Sequence, residues 1–415
     1  MQKERHTEPR YAWVVVWGAF FSLAVIFGVV YSFAAFFEAF SAEFAAQRAD
    51  VSLVFGICGL IYFVLGAGGG ILADRFGPRV VCTAGMLCIA AGLLATSFAT
   101  SMGAVYLTYG VGIGLGVALV YTPSIACVQP WFTKRRGLAA GIASSGIGAG
   151  TVIVPLLATS AIAALQWRGA LRVMALGALV LGVCATFVLK RAPAPSPSPT
   201  SGSAPGSAAG SATGAGPQAI PGATLGQALR DRRFWWFYLF IVAAAPTMFI
   251  PFAHVSASAR DLGLTEARAV GLVGFIGIGS LIGRFAIGAL ADRIGRTLTL
   301  ALMQASMAVS YLLWLAAGGY PALAIFAVWF GLSYGAIVSL MPAICMDLFG
   351  ARAVSSIVGT LYSGAALGNL LGPVVAGAVF DRTGSYAPVI WGCMALSLVA
   401  GAASVRIVRS GAKPY

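Results

Sequence analysis

The sequence predicts an all-α membrane protein with twelve transmembrane helices arranged as two six-helix bundles. Three observations carry this expectation. The 415 residues are 59% apolar and only 9% charged, whereas ordinary soluble domains hold about 25% charged residues. Too few charges remain to cover a water-soluble body of this size. A Pro/Ser/Gly-rich tract leaves six apolar stretches on either side, and one short motif recurs in both halves at a fixed offset.

A bilayer-crossing helix needs about 20 mostly apolar residues. Cutting the chain at its charge and turn clusters leaves stretches at 12–36, 51–73, 80–99, 104–130, 137–162 and 169–189, then 234–257, 268–290, 298–317, 322–348, 355–380 and 387–408. None shows the polar/apolar alternation of a membrane β-barrel. Between the two sets, the run starting Ala192-Pro193-Ala194-Pro195 passes into Gly/Ser/Ala repeats, a flexible-linker composition. The expected organisation is therefore an N-terminal bundle over 1–190, a cytoplasmic linker over 191–233 and a C-terminal bundle over 234–415.

Charge sets the orientation through the excess of cations in cytoplasmic loops. With the N-terminus inside, nineteen Lys and Arg fall on the inner side, and six on the outer side (Arg48, Arg168, Arg172, Arg260, Arg268, Arg382). Both termini are expected in the cytoplasm, with the chain multi-pass in the cell (inner) membrane. Residues 1–10 run directly into an apolar segment too long for the core of a signal peptide, so the first helix is expected to remain as an anchor. The net charge of +14 then marks topology and gives no sign of nucleic-acid binding. All seven cysteines fall in spans, with no CxxC pair, and read as small buried residues; no metal or cofactor is expected. ATP-driven pumping is excluded by the lack of a G-x-x-x-x-G-K-[ST] loop.

The repeated motif is Gly70-Ile-Leu-Ala-Asp74-Arg75-Phe-Gly77, matched by Gly288-Ala-Leu-Ala-Asp292-Arg293-Ile-Gly295 at an offset of 218 residues. The same offset carries Gly141, Gly146 and Pro155 onto Gly359, Gly364 and Pro373. One register joining distant places in both halves indicates duplication of a six-helix unit. A carboxylate beside an Arg at the inner end of a span can pair with cations or a helix N-terminus. Asp74, Arg75, Asp292 and Arg293 are therefore expected to latch helices in one conformation and release them in another.

This motif pair on a six-plus-linker-plus-six layout resembles the major facilitator superfamily, along nearly the whole chain. The resemblance implies two bundles rocking about a midplane site.

Charge within hydrocarbon is costly and marks function by default. Arg284 is the one cation deep in a span, eight residues before Asp292, or roughly 12 Å along the helix. Its planar, permanently charged fork suits a carboxylate. Ser280 lies one turn away on the same face. Tyr31, Tyr121, Tyr334 and Tyr362 sit near mid-span in the first, fourth, tenth and eleventh stretches, which usually line the cavity in this superfamily. Substrate binding is assigned to these six residues. Titratable groups for proton coupling are Asp261 and His254 near the outer end of the seventh stretch, with Glu38 at the end of the first.

Two further stretches narrow the resemblance. Trp131-Phe132-Thr-Lys134-Arg135-Arg136-Gly137-Leu138-Ala139-Ala-Gly141 is similar to a signature of monocarboxylate transporters and their bacterial oxalate/formate-antiporter relatives. His254 through Arg260-Asp261-Leu-Gly263, followed by Gly283-Arg284, resembles the bacterial branch. The resemblance implies small organic anions such as lactate or pyruvate moved with a proton, with Arg284 matching the carboxylate-binding arginine. Animal members carry Lys where Tyr31 aligns and Asp where Ser280 aligns, and the oxalate exchanger's second cation aligns near Ala365. A single cavity cation fits a monocarboxylate better than a dianion, so exchange of the oxalate/formate type, or facilitation of another small solute, is the alternative. The expected partners are a small organic anion, a proton and the lipid bilayer, and a monomer is expected to suffice.

Overall fold

The structure, a computed structural model, describes residues 10–132, 136–191, 222–350 and 352–409. The side chains of 136–138, 288–289, 292, 354–355 and 408–409 lie outside that description. Backbone polar groups cannot be left unpaired in hydrocarbon, so each apolar stretch closes its own hydrogen bonds as a helix. Eleven helical stretches among the described residues are long and apolar enough to cross a membrane. The longest, Ala139–Phe187, holds two spans, because Gln166 leaves the helical conformation (φ 59°, ψ 170°) within it. Twelve spans result.

In chain order they are Arg10–Phe44, Arg48–Phe76, Pro78–Thr96 and Met102–Trp131, then 136–165 and 167–187. The second six are Arg232–Asp261, Glu266–Ile287 (helical on to Ile294), Arg296–Leu315, Tyr320–Phe349, Val354–Thr383 and Ala387–Arg409. The first span is longer than the sequence suggested. It turns at Ser32, whose Oγ donates to the Gly28 carbonyl at 2.6 Å, and continues to Phe44. We call the end carrying Arg10 and Arg409 the terminal face, and the opposite end the distal face.

The duplication is visible in the packing. The first span packs on the fifth and the second on the fourth, as the seventh packs on the eleventh and the eighth on the tenth. The bundles meet along the second–eleventh and fifth–eighth pairs, which are equivalent contacts under the same repeat. Gly77 and Gly295 occupy the same point in the two motif loops, both at positive φ (91° and 97°), a conformation glycine adopts without steric cost. Small residues also permit close helix approach within a bundle. A Cβ on Gly331 or Gly335 would run into the backbone of Ile276 or Ser280, so the eighth and tenth spans touch main chain to main chain.

The last part of the linker is docked on the C-terminal bundle. The Ala223 amide donates to the Phe349 carbonyl at 2.7 Å. A short helix, Leu225–Arg230, starts at Thr224, which shares a reciprocal capping arrangement with Gln227. The Pro/Gly/Ser tract over 192–221 lies outside the described residues. Of the cysteines, five are buried, but Cys88 is half-buried and Cys184 exposed. Those two correct the expectation that all seven are buried: a span has a lipid-facing side, and a small apolar thiol is tolerated there.

Candidate functional site

At mid-height between the bundles lies a cavity of about 60 Å³. That is room for about four to six waters at roughly 10–15 Å³ each, or for an acid with a similar number of heavy atoms. Its wall includes Tyr31, Tyr62, Tyr121, Arg284, Tyr334 and Tyr362. Five of the six expected binding residues thus converge from five spans and both bundles.

The eighth span widens into a π-helical turn at Gly283–Ile287, a device found frequently at functional sites. Gly283 lets the tenth span approach this turn closely, because a Cβ there would strike the Leu332 backbone. Arg284 leaves this turn toward the cavity. Its Nε lies 3.4 Å from Ser280 Oγ, and its buried Nη2 has no hydrogen-bond partner. Among the described residues no carboxylate pairs with it. Ser280 is placed behind the guanidinium, buried and away from the cavity wall, so its contact is with Arg284. Tyr62, on the second span, lines the cavity without having been singled out from sequence. Its position midway along an apolar span gave it no more prominence than any packing aromatic.

The remaining hydroxyls are held by aromatic packing. Tyr31 stacks on Phe252 with ring centroids 4.2 Å apart, and its hydroxyl meets that of Tyr334 across the bundle boundary at 3.1 Å. Phe27 stands edge-on to Tyr121 at 5.3 Å. This is an apolar cage with a few hydroxyls and one cation, unpaired among the described residues, as its strong anion-recognition group.

The bundles are clasped on the distal side of the cavity. Arg48, at the start of the second span, donates twice to the Asp261 carboxylate, at 2.6 and 2.9 Å, and once to Tyr386 Oη at 2.7 Å. Asp381 accepts from the amides of Arg48 and Ala49 at 3.1 and 3.0 Å, placing an anion at a helix N-terminus. Deeper, Asn369 Nδ2 donates to the carbonyls of Phe55 and Gly56. Glu38 lies 4.0 Å from Arg260 Nε, and Arg260 also pairs with Glu266 at 3.2 Å.

His254 is fully buried in this clasp. Its Nε2 faces the Pro373 carbonyl at 2.8 Å and Ser52 Oγ at 3.1 Å, and its Nδ1 faces Tyr386 Oη at 3.0 Å. Donor and acceptor rules fix the tautomer. A carbonyl only accepts, so Nε2 carries the hydrogen. Ser52 already donates to the Arg48 carbonyl at 2.6 Å and can accept from Nε2. Tyr386, which accepts from Arg48, donates to Nδ1. The chain from Arg48 through Tyr386 to His254 is complete only with a neutral imidazole.

The motif loops stand at the other end. Asp74, Arg75 and Arg293 are exposed, and Asp74 makes no ion pair among the described residues. Arg191 Nη2 instead donates to the main-chain carbonyls of Ala73 (2.7 Å) and Asp74. The Asp292 side chain lies outside the described residues. The expected latch residues therefore carry no described link between the bundles at this face, while the distal face is clasped.

Two pseudo-symmetric membrane bundles enclosing a central cavity define a secondary-transporter architecture. The family model described as "Major Facilitator Superfamily" matches residues 19–286 and 247–414. Monocarboxylate transporter 13 of Bos taurus is 31% identical over 379 residues, covering 91% of this chain and 84% of the relative. Monocarboxylate transporter 12 of Homo sapiens is 29% identical over 415 residues, covering 93% and 79%. A solved bacterial homologue of the human lysosomal transporter Spinster, in an inward-facing and unoccupied conformation, superposes with a TM-score of 0.72 at 14% identity, covering 97% of this chain and 98% of that one. The chain belongs to the major facilitator superfamily, and within it to the monocarboxylate transporter family. It is a multi-pass membrane protein with the fold of a transporter.

Proposed function

We propose that the protein is a proton-coupled symporter of small monocarboxylates, of the size of lactate or pyruvate, working by alternating access. The observation that supports this best is the buried, unpartnered Nη2 of Arg284 in the wall of a small aromatic cavity. An uncompensated guanidinium in the membrane interior is unfavourable, and an anionic substrate supplies the missing charge. One cation balances one carboxylate, which favours a monocarboxylate over a dianion. The terminal face is the cytoplasmic one in this reading, since the inner-side cations Arg10, Arg75, Arg79, Arg191, Arg293 and Arg406 lie along it.

His254 is the proton-carrying group best supported by the geometry. Protonating Nδ1 would set a second cation beside Arg48 on the same phenol oxygen and strand the Tyr386 hydrogen, which breaks the distal clasp. Asp261, doubly bonded to Arg48, is the clasp's anion. A proton and substrate then enter from the distal side, Arg284 takes the carboxylate, and the Asp74 and Asp292 loops re-engage as the bundles rock. The test is uptake of radiolabelled lactate and pyruvate into proteoliposomes with and without an inward proton gradient. Gradient-stimulated uptake by the native protein, lost in Arg284→Ala and in Arg284→Lys, is expected. Native-level uptake by Arg284→Ala would remove the site assignment, and uptake indifferent to the gradient would remove the proton coupling.

A further inference from the structure

We propose that a groove on the terminal face of the N-terminal bundle binds the phosphate of an anionic phospholipid. The groove has a volume of about 300 Å³ and lies between the loop joining the second and third spans and the end of the sixth. Its lining brings together Arg75, Arg79, Lys190 and Arg191 and no acidic side chain. None of the four cations is ion-paired among the described residues. Four like charges around one concavity repel one another, and a bound anion relieves that repulsion.

The cations are held in position. Arg191 is fastened through the Ala73 and Asp74 carbonyls. Arg79 packs its guanidinium 5.4 Å from the Phe187 ring, and its Nε is buried with no hydrogen-bond partner. The guanidinium of Arg75 is 5.3 Å from the Phe76 ring, and Lys190 Nζ is 5.1 Å from the Tyr11 ring. A donor buried without an acceptor is costly unless a ligand fills the place, and a phosphate oxygen is the acceptor arginine matches best. The source follows from the rim. Phe76 in the lining, Val80 next to Arg79 in sequence and Phe187 against the Arg79 guanidinium are all more than half exposed, an apolar border that suits acyl chains. A soluble phosphate would leave that border unused. Basic pockets between membrane helices recognise anionic head groups by this combination. A lipid held here would fix the motif loop to the sixth span while leaving the Asp74 carboxylate free. This role is independent of which solute is carried.

The test is native mass spectrometry of the full chain in detergent doped with phosphatidylglycerol or phosphatidylcholine. Each Lys or Arg near anionic lipid contributes about a fivefold gain in binding. The native protein should retain phosphatidylglycerol over phosphatidylcholine by about tenfold or more, given four cations. Arg79→Gln combined with Arg191→Gln should cut that preference at least fivefold, and Arg406→Gln, at an exposed site on the other bundle, should leave it unchanged. Should the double variant not remain monodisperse, Arg75→Gln with Lys190→Gln provides the same comparison. Equal retention of the two lipids, or undiminished retention in a monodisperse double variant, overturns the site. Displacement of the lipid by excess inorganic phosphate overturns the lipid as its source.

Discussion

Replacing Asp261 by Asn keeps the shape of the distal clasp but removes its charge. In the native protein Arg48 meets this carboxylate with two bonds of 2.6 and 2.9 Å, the two side chains being 17% and 37% exposed. An exposed pair contributes about 0.2–1 kcal/mol, and a hydrogen bond to a charged group about 1.5–3 kcal/mol. Solvent reaches Asp261, so the clasp's ion pair is discounted to about 1–2 kcal/mol in favour of the distally closed state. Its loss raises the distally open population by about 5–30-fold. Spin labels at Thr100→Cys and Gly318→Cys, on distal loops of opposite bundles, report this as a long-distance component in pulsed electron resonance. The increase should shrink as salt is added, and Arg48→Gln should produce a similar shift that does not add to that of Asp261→Asn. A distance distribution unchanged by either substitution would refute the reasoning.

Three further outcomes follow from the same geometry. The clasp needs His254 neutral, so its contribution is present at higher pH and lost on acidification; the labelled native protein should open distally as pH falls below about 6.5, and His254→Gln should flatten that dependence. Tyr31→Phe removes the cross-bundle hydroxyl contact with Tyr334, worth about 1 kcal/mol, and should lower the melting temperature in detergent slightly. Gly335→Val forces a side chain into the Ser280 backbone, an overpacking that costs about 1–3 kcal/mol, and should lower the melting temperature in detergent.

The fold was legible because hydrocarbon imposes simple demands. Length, apolarity and a repeated loop were enough for twelve spans in two bundles, and Gly77 and Gly295 even share a backbone conformation. Arg284 was legible because a lone deep cation stands out in a chain with so few charges. The π-turn that carries it was not, since nothing in Gly283–Ile287 distinguishes π from α hydrogen bonding. The distal clasp was partly hidden too. Asp261 and His254 were singled out, but Arg48 and Tyr386 lie 213 and 132 residues from their partners and meet them only through packing of the bundles. Ser280 sits on the expected face yet supports Arg284 instead of lining the cavity, a difference of side-chain depth that helical spacing does not encode.

The central claim is that Arg284 recognises the negative charge of a small acid. Isothermal titration of the purified protein with lactate and with its neutral isostere lactamide tests it most directly, with Arg284→Gln in parallel. Lactate should bind the native protein, while lactamide should not, and Arg284→Gln should lose the preference for the anion. Equal binding of acid and amide, or lactate affinity undiminished in Arg284→Gln, would contradict it.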